Sequence, residues 1–217
     1  MDAIIKIGGS LANSPHLAEL CKILEKISKN FQFLIVPGGG KFADIVRKFD
    51  KKFHLPNEIS HKMAILAMDQ YGLFLSHLMN ASLLNKLKIP KTFQKKPIIF
   101  LSSEYMFKED PLPNSWDVTS DSIAAHIAQK FNAPKLILVK NVDGIFSSDP
   151  KKNSNAKLIK KISANKLLSW NKKTCVDKFL PKILLKHKIR CYIVNGEYPK
   201  RIDEIFKGKK IICTEIF

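Results

Sequence analysis

The chain has 217 residues, 45% of them hydrophobic, and a formal net charge of +18. This apolar content can fill the core of one domain of ordinary size, which excludes a disordered chain. No apolar run reaches the roughly 18 residues of a membrane-spanning helix, and the N-terminus begins as a strand rather than as a signal peptide, so we expect a cytoplasmic protein without a membrane partner.

Hydrophobic periodicity predicts strands that alternate with helices. The predicted strands are residues 4–7, 31–36, 97–101, 135–139, 191–194 and 211–213. The predicted helices are residues 15–29, 41–49, 59–84, 119–131, 163–170, 175–188 and a short helix from residue 199. Residues 104–113 and 141–156 are predicted loops. This order of strands and helices predicts an α/β fold with a mainly parallel sheet and helices on both faces.

The first predicted strand ends in an unusual way. Residues 4–7 predict a short strand buried on both faces, which Gly8 and Gly9 end abruptly. Lys6 needs an anionic partner there, because burial of an unpaired ammonium is costly. The strand, its glycine turn and a helix starting near Pro15 therefore predict a phosphate-sized site. A surface lysine on an edge strand is the alternative.

A second glycine turn, Gly38, Gly39 and Gly40, follows the second predicted strand. Ligands of parallel α/β sheets bind at the carboxyl ends of the strands, so we expect the two glycine turns to lie side by side above one edge of the sheet. Asp117 and Asp121 open the predicted helix 119–131. Helix capping explains Asp117 more readily than Asp121, after which the helix continues.

The positive charge is unevenly distributed. Residues 151–217 hold 18 Lys and Arg against 5 Asp and Glu, whereas residues 1–150 hold 19 against 14. Such a field suits nucleic acid, an anionic membrane or a polyphosphate ligand. Because Lys greatly outnumbers Arg and occurs in every predicted helix, solvated helix faces are an equally simple explanation for most of these charges.

The cysteines indicate neither a zinc site nor a disulfide framework. Cys21, Cys175, Cys191 and Cys213 are widely separated, no CxxC pair occurs, and no His stands at metal-ligand spacing. The sequence therefore predicts four free thiols and no metal site built by the protein.

A series of motifs, taken together and in this order, resembles that of the amino acid kinase superfamily, which includes acetylglutamate, uridylate and isopentenyl phosphate kinases. The motifs are Lys-Ile-Gly-Gly-Ser at 6–10, Val-Pro-Gly-Gly-Gly at 36–40, Ser-Asp-Ser-Ile-Ala-Ala at 120–125, Val-Asp-Gly-Ile-Phe-Ser-Ser-Asp-Pro at 142–150 and Val-Asn-Gly at 194–196. Residues 61–72, 116–121 and 176–182 look most like the branch that phosphorylates aminomethylfuran-methyl phosphate in methanofuran biosynthesis.

The resemblance implies an ATP-dependent kinase with an open three-layer αβα fold in one domain, residues 1–217. It implies a small-molecule acceptor over about residues 1–132 and the nucleotide over about residues 133–217. Mg²⁺ is expected on the ATP phosphates, held largely through waters and phosphate oxygens. The resemblance also implies a homo-oligomer and no nucleic-acid partner.

The resemblance also assigns roles to individual residues. Lys6 and Lys182 are expected to approach the transferring phosphoryl group from two sides, with Asp121 between them. The ATP site is assigned to Gly8, Gly9, Ser10, Lys140, Asp143, Gly144 and Asp149. The acceptor site is assigned to Gly38, Gly39, Gly40, His61 and Asp117. The backbone N–H groups of Gly8, Gly9, Gly39 and Gly40 are expected to bind phosphate oxygens.

The chain departs from the family pattern on the nucleotide side. Lys140 and Asn141 stand where many members have Thr before the Asp-Gly loop, and residues 178–181 replace a Gly-Gly-Met approach to the second lysine. Lys182 also has Lys178 and Lys186 as helical neighbours. The base preference and the assignment of Lys182 are therefore the least determined parts of the nucleotide site.

The acceptor is predicted from one helix. His61 and Lys62 favour a phosphate monoester over a carboxylate, since relatives that accept phosphate place a histidine or arginine near this point; a polar histidine at a helix start is the alternative. Asp69, Gln70 and Tyr71 are expected to contact the rest of the substrate, including an amine.

Three classes of function remain open at this point. The first is the small-molecule kinase, with isopentenyl phosphate, uridylate or an amino acid carboxylate as other acceptors. The second is a non-catalytic member of the fold that binds an anion. The third is a nucleic-acid-binding module suggested by the charge, although the chain lacks the interleaved aromatic residues that such modules use.

Overall fold

The computed structural model describes residues 1–88, 95–170 and 172–217. Its main sheet has eight strands in the order β3-β4-β2-β1-β5-β9-β10-β8, and β6 pairs with β7 in a separate hairpin. The strands are β1 Ala3–Ile7, β2 Phe33–Pro37, β3 Ser82–Leu84, β4 Ile98–Phe100, β5 Lys135–Lys140, β6 Ile145–Phe146, β7 Leu158–Ile159, β8 Lys161–Ile162, β9 Arg190–Asn195 and β10 Thr214–Ile216.

The main sheet is mostly parallel, as the sequence predicts. β1 pairs in parallel with β2 on one side and with β5 on the other, and only the β9–β10 pair is antiparallel among the described strands of this sheet. Every residue of β1 is buried. The first strand is therefore central rather than at an edge, and its carboxyl end lies between those of β2 and β5.

Helices cover both faces of the sheet. They are α1 Leu17–Ser28, α2 Gly40–Phe53, α3 Asn57–Leu78, α4 Ser103–Glu109, α5 Ser120–Lys130, α6 Ala164–Leu168, α7 Leu180–His187 and α8 Lys200–Phe206, and a 3₁₀ helix spans Gly9–Asn13. Side chains alternate across the strands: Ile4 packs in one hydrophobic cluster with α5 and α7, and Ile5 packs in the other with α1 and α8. The predicted three-layer α/β architecture is confirmed.

The predicted helix 59–84 is too long at its C-terminus. α3 ends at Leu78, and residues 82–84 form β3 instead. Asn80 adopts a left-handed conformation with φ of 43°, which is a common way for a helix to end.

The predicted loop 104–113 is wrong over most of its length, because residues 103–109 form α4. The carboxylate of Asp69, on α3, accepts hydrogen bonds from the backbone N–H groups of Ser102 and Ser103 at 2.7 and 3.2 Å. A side chain from another helix therefore pairs the free backbone N–H groups at the start of α4. The local sequence does not reveal this contact.

Other boundaries also differ from the prediction. α7 begins at Leu180 rather than at residue 175, the final strand is residues 214–216 rather than 211–213, and the predicted loop 141–156 contains β6. The four cysteines are free thiols, as predicted. None of the helices in the described part of the chain combines the length and apolar character that a membrane crossing needs.

Candidate active site

Two lysines flank one buried carboxylate at the carboxyl ends of β1 and β5. Lys6 Nζ lies 2.9 Å from Asp121 Oδ1, and Lys140 Nζ lies 2.7 Å from Asp121 Oδ2. Lys6 pairs with Leu138 in the sheet, so the two-residue period of a strand puts Lys6 and Lys140 on the same face. That face carries α5, whose first turn contains Asp121. We call these three residues the clamp.

Burial and charge act in opposite directions on the pKa values of the clamp. Burial alone would raise the pKa of Asp121, but the ammonium groups of Lys140 and Lys6 outweigh burial and hold that pKa at about 2. Burial and the charge of Lys140 lower the pKa of Lys6 by more than Asp121 and Asp177 raise it. For Lys140 the balance is reversed, since Asp121 and other nearby charges outweigh its burial and raise its pKa. A carboxylate shared by two ammonium groups leaves a net positive charge facing the cleft.

The second lysine of the clamp is Lys140 rather than the predicted Lys182. Lys182 lies in the first turn of α7, is exposed, and its Nζ stands 5.3 Å from the ring centre of Phe179. It lines the same cleft but makes no ion pair with Asp121 in the described structure. The expectation that Asp121 lies between Lys6 and Lys182 is therefore wrong, because Lys140 reaches Asp121 from the end of β5.

A cleft of about 1120 Å³ opens above the clamp. The two glycine turns border it side by side, as the sequence predicts: a Cβ on Gly9 would lie 2.0 Å from the backbone nitrogen of Gly40. Glycine is needed here because the two backbones touch. The walls of the cleft also include Gly8, Ser10, Gly39, Asp117, Lys140 and Lys182.

Two of the glycine N–H groups are already used. Gly8 N donates to Val139 O and Gly38 N donates to Ile7 O, both at 2.8 Å. The expectation that the Gly8 N–H binds a phosphate oxygen is therefore wrong. Gly9 opens the 3₁₀ helix and Gly39 is the N-cap of α2. N–H groups in a first helical turn have no partner within their helix, so both turns still present amide groups at the cleft.

Asp177 is a residue that the sequence reasoning missed. Its carboxylate accepts hydrogen bonds from the backbone and hydroxyl groups of Thr119 and Ser122 and from the backbone N–H of Leu180, at 2.6–3.0 Å. It thereby joins the N-terminus of α5 to that of α7. Burial and the charge of Asp121 raise the pKa of Asp177, although these hydrogen bonds oppose the rise. No periodic pattern marks residue 177, which lies in a loop.

Three residues that the sequence assigns to ATP are absent from the walls of this cleft as the described residues define them. Asp143 forms an ion pair with Arg201. Gly144 packs against Thr214, whose Oγ1 would lie 2.2 Å from an added Cβ. Asp149 accepts from the backbone N–H of Lys151 at 3.0 Å in an exposed turn. These contacts give Asp143, Gly144 and Asp149 structural roles in the segment 141–156.

On the acceptor side, His61 is 6% exposed and lines a small side pocket of the cleft. Burial lowers the pKa of His61, although the charge of Asp110 opposes this. Asp117 lines the main cleft, but its exposed carboxylate is paired with Lys178 at 3.2 Å. Gly39 borders both spaces.

The residues predicted to contact the rest of the acceptor lie elsewhere. Asp69 caps α4, as described above, and Gln70 is exposed on α3. Tyr71 is 1% exposed, and its ring packs among the core side chains of the α1 face. In contrast, Arg47 and Trp116 border both the side pocket and the cleft, and the sequence reasoning gave neither a role.

A family model described as Amino acid kinase family matches residues 1–195. The chain is 35% identical to the [5-(aminomethyl)furan-3-yl]methyl phosphate kinase of Methanocaldococcus jannaschii, over 98% of this chain and 96% of that protein. It is 26% identical to the uridylate kinase of Pyrococcus abyssi, over 96% of both chains.

The fold has a solved counterpart. The crystal structure of uridylate kinase from Archaeoglobus fulgidus superposes with a TM-score of 0.74, covers 100% of both chains and is 23% identical in sequence. The family match extends over both glycine turns, the clamp and the β9 strand. The chain therefore belongs to the amino acid kinase family.

Proposed function

We propose that this protein is an ATP-dependent kinase that transfers the γ-phosphoryl group of ATP to a phosphate monoester and so forms a diphosphate. The observation that carries the proposal is the clamp: Asp121 holds Lys6 and Lys140 at the floor of a cleft bordered by both glycine turns. Relatives that align with almost the whole chain are named as kinases of phosphate monoesters.

In this mechanism an oxygen of the acceptor phosphate attacks the γ-phosphorus as the bond to the ADP oxygen breaks. Phosphoryl transfer requires mainly positioning and positive charge around the moving group. Lys6 and Lys140 supply that charge, and the first-turn amides beside Gly9 and Gly39 bind phosphate oxygens. The acceptor lies over residues 1–132 and ATP over residues 133–217, where exposed Lys182 pairs with the nucleotide phosphates.

Mg²⁺ fits this site as a partner of ATP rather than of the protein. The described residues contain no cluster of three or more His, Cys, Asp or Glu side chains that could hold a metal. Asp121 is committed to two lysines and Asp177 to five hydrogen bonds. Bound Mg²⁺ would neutralise phosphate charge, and the protein would hold it through ATP oxygens and water. A cytoplasmic location remains a prediction from the sequence.

The acceptor that we propose first is [5-(aminomethyl)furan-3-yl]methyl phosphate, the substrate in the name of the relative that is 35% identical. Uridylate is the second candidate, because the uridylate kinases also align along almost the whole chain. Both are phosphate monoesters. Amino acid carboxylates are not expected to react, since the predicted product is a diphosphate rather than an acylphosphate.

A panel of acceptors assayed by ADP release tests the proposal. It should contain the furan phosphate, uridylate, isopentenyl phosphate, acetylglutamate and aspartate, each with ATP and Mg²⁺. Turnover with at least one phosphate monoester, and a phosphorus NMR doublet from the new diphosphate, is the expected result. Turnover with a carboxylate alone would contradict the acceptor class, and ATP binding without any turnover would favour a non-catalytic anion-binding protein.

We further propose that the protein is a homo-oligomer that associates through α2 and α3. The exposed apolar side chains of α2 recur every three or four residues and so form one stripe: Phe42, Ile45, Phe49 and Phe53. Ile59, Leu66, Leu73 and Phe74 on the neighbouring α3 are also exposed. Large apolar side chains exposed on two neighbouring helices favour association, and a second copy presents the same two helices.

Light scattering on a sizing column tests the association, since the monomer mass is 24.7 kDa. Phe49→Glu should reduce a dimeric or larger mass to that of a monomer. Leu185→Glu is the matched control, because Leu185 is an exposed apolar residue of α7, outside α2 and α3. A wild-type protein with a monomeric mass would refute the proposal.

A further inference from the structure

The segment 141–144 connects β5, whose last residue belongs to the clamp, to β6. Its first two residues, Asn141 and Val142, belong to the walls of the main cleft. The next residue, Asp143, forms an ion pair with Arg201 of α8. In the described part of the chain, α8 contributes no residue to those walls. The ion pair therefore ties a wall of the cleft to a helix that lies outside it.

The Asp143–Arg201 ion pair is partly shielded from water. The side chain of Arg201 is 15% exposed and that of Asp143 is 34% exposed, so solvent and salt screen the pair less than they screen a fully exposed pair. The guanidinium lies 4.1 Å from the ring centre of Tyr198, and the backbone N–H of Arg201 donates to Tyr198 O at 3.0 Å. Because these contacts hold the guanidinium in place, the ion pair constrains the position of Asp143.

The ion pair joins structures at the ends of two neighbouring strands. β9 is the parallel neighbour of β5, and α8 follows β9 along the chain. Near the start of the segment, Gly196 N donates to Lys140 O at 2.7 Å. Near its end, Cys175 Sγ donates to Gly144 O at 3.4 Å. The ion pair of Asp143 lies between these two contacts and directly follows the wall residues.

The clamp has supports that do not involve this ion pair. β5 pairs with β1 on one side and with β9 on the other, and Lys140 Nζ lies 2.7 Å from Asp121 Oδ2. Loss of Arg201 should therefore leave in place the charges that act in phosphoryl transfer. A change confined to the wall weakens the binding of ATP equally in the ground state and the transition state, which raises KM without lowering kcat.

We propose that Arg201 is a positioning residue for ATP: through Asp143 it fixes residues 141–142, the part of the cleft wall against which the nucleotide binds. This role rests on the proposed function, which puts ATP over residues 133–217. A wall that is fixed in advance binds its ligand more tightly, because less conformational freedom is lost on binding. The acceptor lies over the other part of the chain, so its binding should not depend on Arg201.

The role is tested with Arg201→Met, which removes the charge and keeps an unbranched side chain. The Kd for ATP with Mg²⁺, measured by isothermal titration calorimetry, and the KM for ATP should both rise by about fivefold or more. The kcat and the KM of the acceptor should stay within about twofold of the wild type. Arg201→Lys, which keeps the positive charge, should recover part of the ATP affinity.

Lys207→Met is the matched control, because it removes a cation that pairs with Asp203 on α8 itself. It should bind ATP as the wild type does. An Arg201→Met enzyme with wild-type affinity for ATP would overturn the role. So would an enzyme in which kcat or the acceptor KM changes as much as the KM for ATP.

The path through Asp143 is tested with a double variant. Asp143→Asn alone should also weaken the binding of ATP with Mg²⁺. The double variant should bind ATP no more weakly than Arg201→Met alone, because both substitutions break the same contact. Two separate losses that multiply in the double variant would mean that Arg201 acts independently of Asp143, and this would overturn the proposal.

Failure of the proposed function gives a different result. A wild-type protein that does not bind ATP with Mg²⁺ would refute the nucleotide site itself. A wild type that binds ATP, together with an Arg201→Met variant that matches Lys207→Met, would refute only the role of Arg201. Thermal midpoints without ligand show whether each variant is folded. If Arg201→Met does not fold, Asp143→Asn takes its place with the same expected rise in the Kd for ATP.

Discussion

The two ends of the cleft satisfy their polar groups in opposite ways. At the clamp, both oxygens of Asp121 form ion pairs within the protein, Oδ1 with Lys6 and Oδ2 with Lys140, and the Oδ2 pair is also a hydrogen bond. At the acceptor end, the Nε2 of His61 is also buried but has no hydrogen-bond partner among the described residues. The carboxylate of the clamp therefore has both of its counter-charges before any ligand binds, whereas His61 has no partner for its Nε2 among the described residues.

This difference separates the residues that act in phosphoryl transfer from those that select the acceptor. A prearranged positive charge stabilises the transferring group without reorganisation at the moment of reaction. An unpaired buried polar atom, in contrast, favours a ligand that supplies its missing partner, and this preference is a source of specificity. Substitutions at the clamp should therefore reduce turnover of every acceptor alike, and substitutions at the side pocket should change the choice among acceptors.

The largest expected effect comes from removing the shared carboxylate. Asp121→Asn removes the counter-charge that two buried ammonium groups share and should lower kcat by about a hundredfold or more for every acceptor. Steady-state kinetics measure this, with Asp149→Asn in the exposed 149–153 turn as the control. An Asp121→Asn enzyme with normal kcat would remove the clamp from the mechanism.

A smaller effect is expected at Asp177, whose hydrogen bonds join the start of α5, which carries Asp121, to the start of α7. Asp177→Asn weakens the contacts that join α5 to α7 and should lower the thermal midpoint by about 6 °C, as expected for the loss of about 2 kcal/mol in a chain of this size. Asp117→Asn is the matched control, because its carboxylate makes one exposed ion pair with Lys178. Equal midpoints for the two variants would mean that Asp177 does not hold the helices together.

The clamp also predicts how stability depends on pH. The pKa of Asp121 is about 2 in the folded protein, against 3.8 for a free side chain. A lowered carboxyl pKa stabilises the fold above the free value, and this contribution is lost as pH falls toward the folded value. Between about pH 5 and pH 2 the loss should be about 2 kcal/mol. Urea unfolding at these pH values should show this slope in the wild type and a smaller one in Asp121→Asn.

The sequence was sufficient for the parts of the site that depend on strand ends. Parallel strands put their carboxyl ends at one edge of the sheet, so the two glycine turns could be placed together without any coordinates. Lys6 could likewise be identified because a lysine in a buried strand needs an acid. The role of Asp121 follows from the resemblance to the family, since its place in the first turn of α5 alone also fits a helix cap.

The sequence was insufficient where the site depends on register and on helix starts. Lys140 shares the face of Lys6 only because Ile7 pairs with Val139. The residues of the two strands do not specify this register by themselves. The resemblance to the family assigns the second lysine to Lys182, in a predicted helix that starts at residue 175, whereas α7 starts at Leu180. Asp177 lies in the loop between these two positions, where no periodicity reveals its contacts. One missed signal was available: Asn80 marks the end of α3.

The most direct test of the central claim compares Lys140→Met with Lys182→Met. Both substitutions remove an ammonium group from the wall of the same cleft, but only Lys140 is paired with Asp121. Steady-state kinetics with saturating ATP and the best acceptor of the panel should show a loss in kcat of about a hundredfold or more for Lys140→Met. Lys182→Met should mainly raise the KM for ATP and keep kcat within about tenfold of the wild type. The reverse result, with Lys182→Met inactive and Lys140→Met active, would contradict the account.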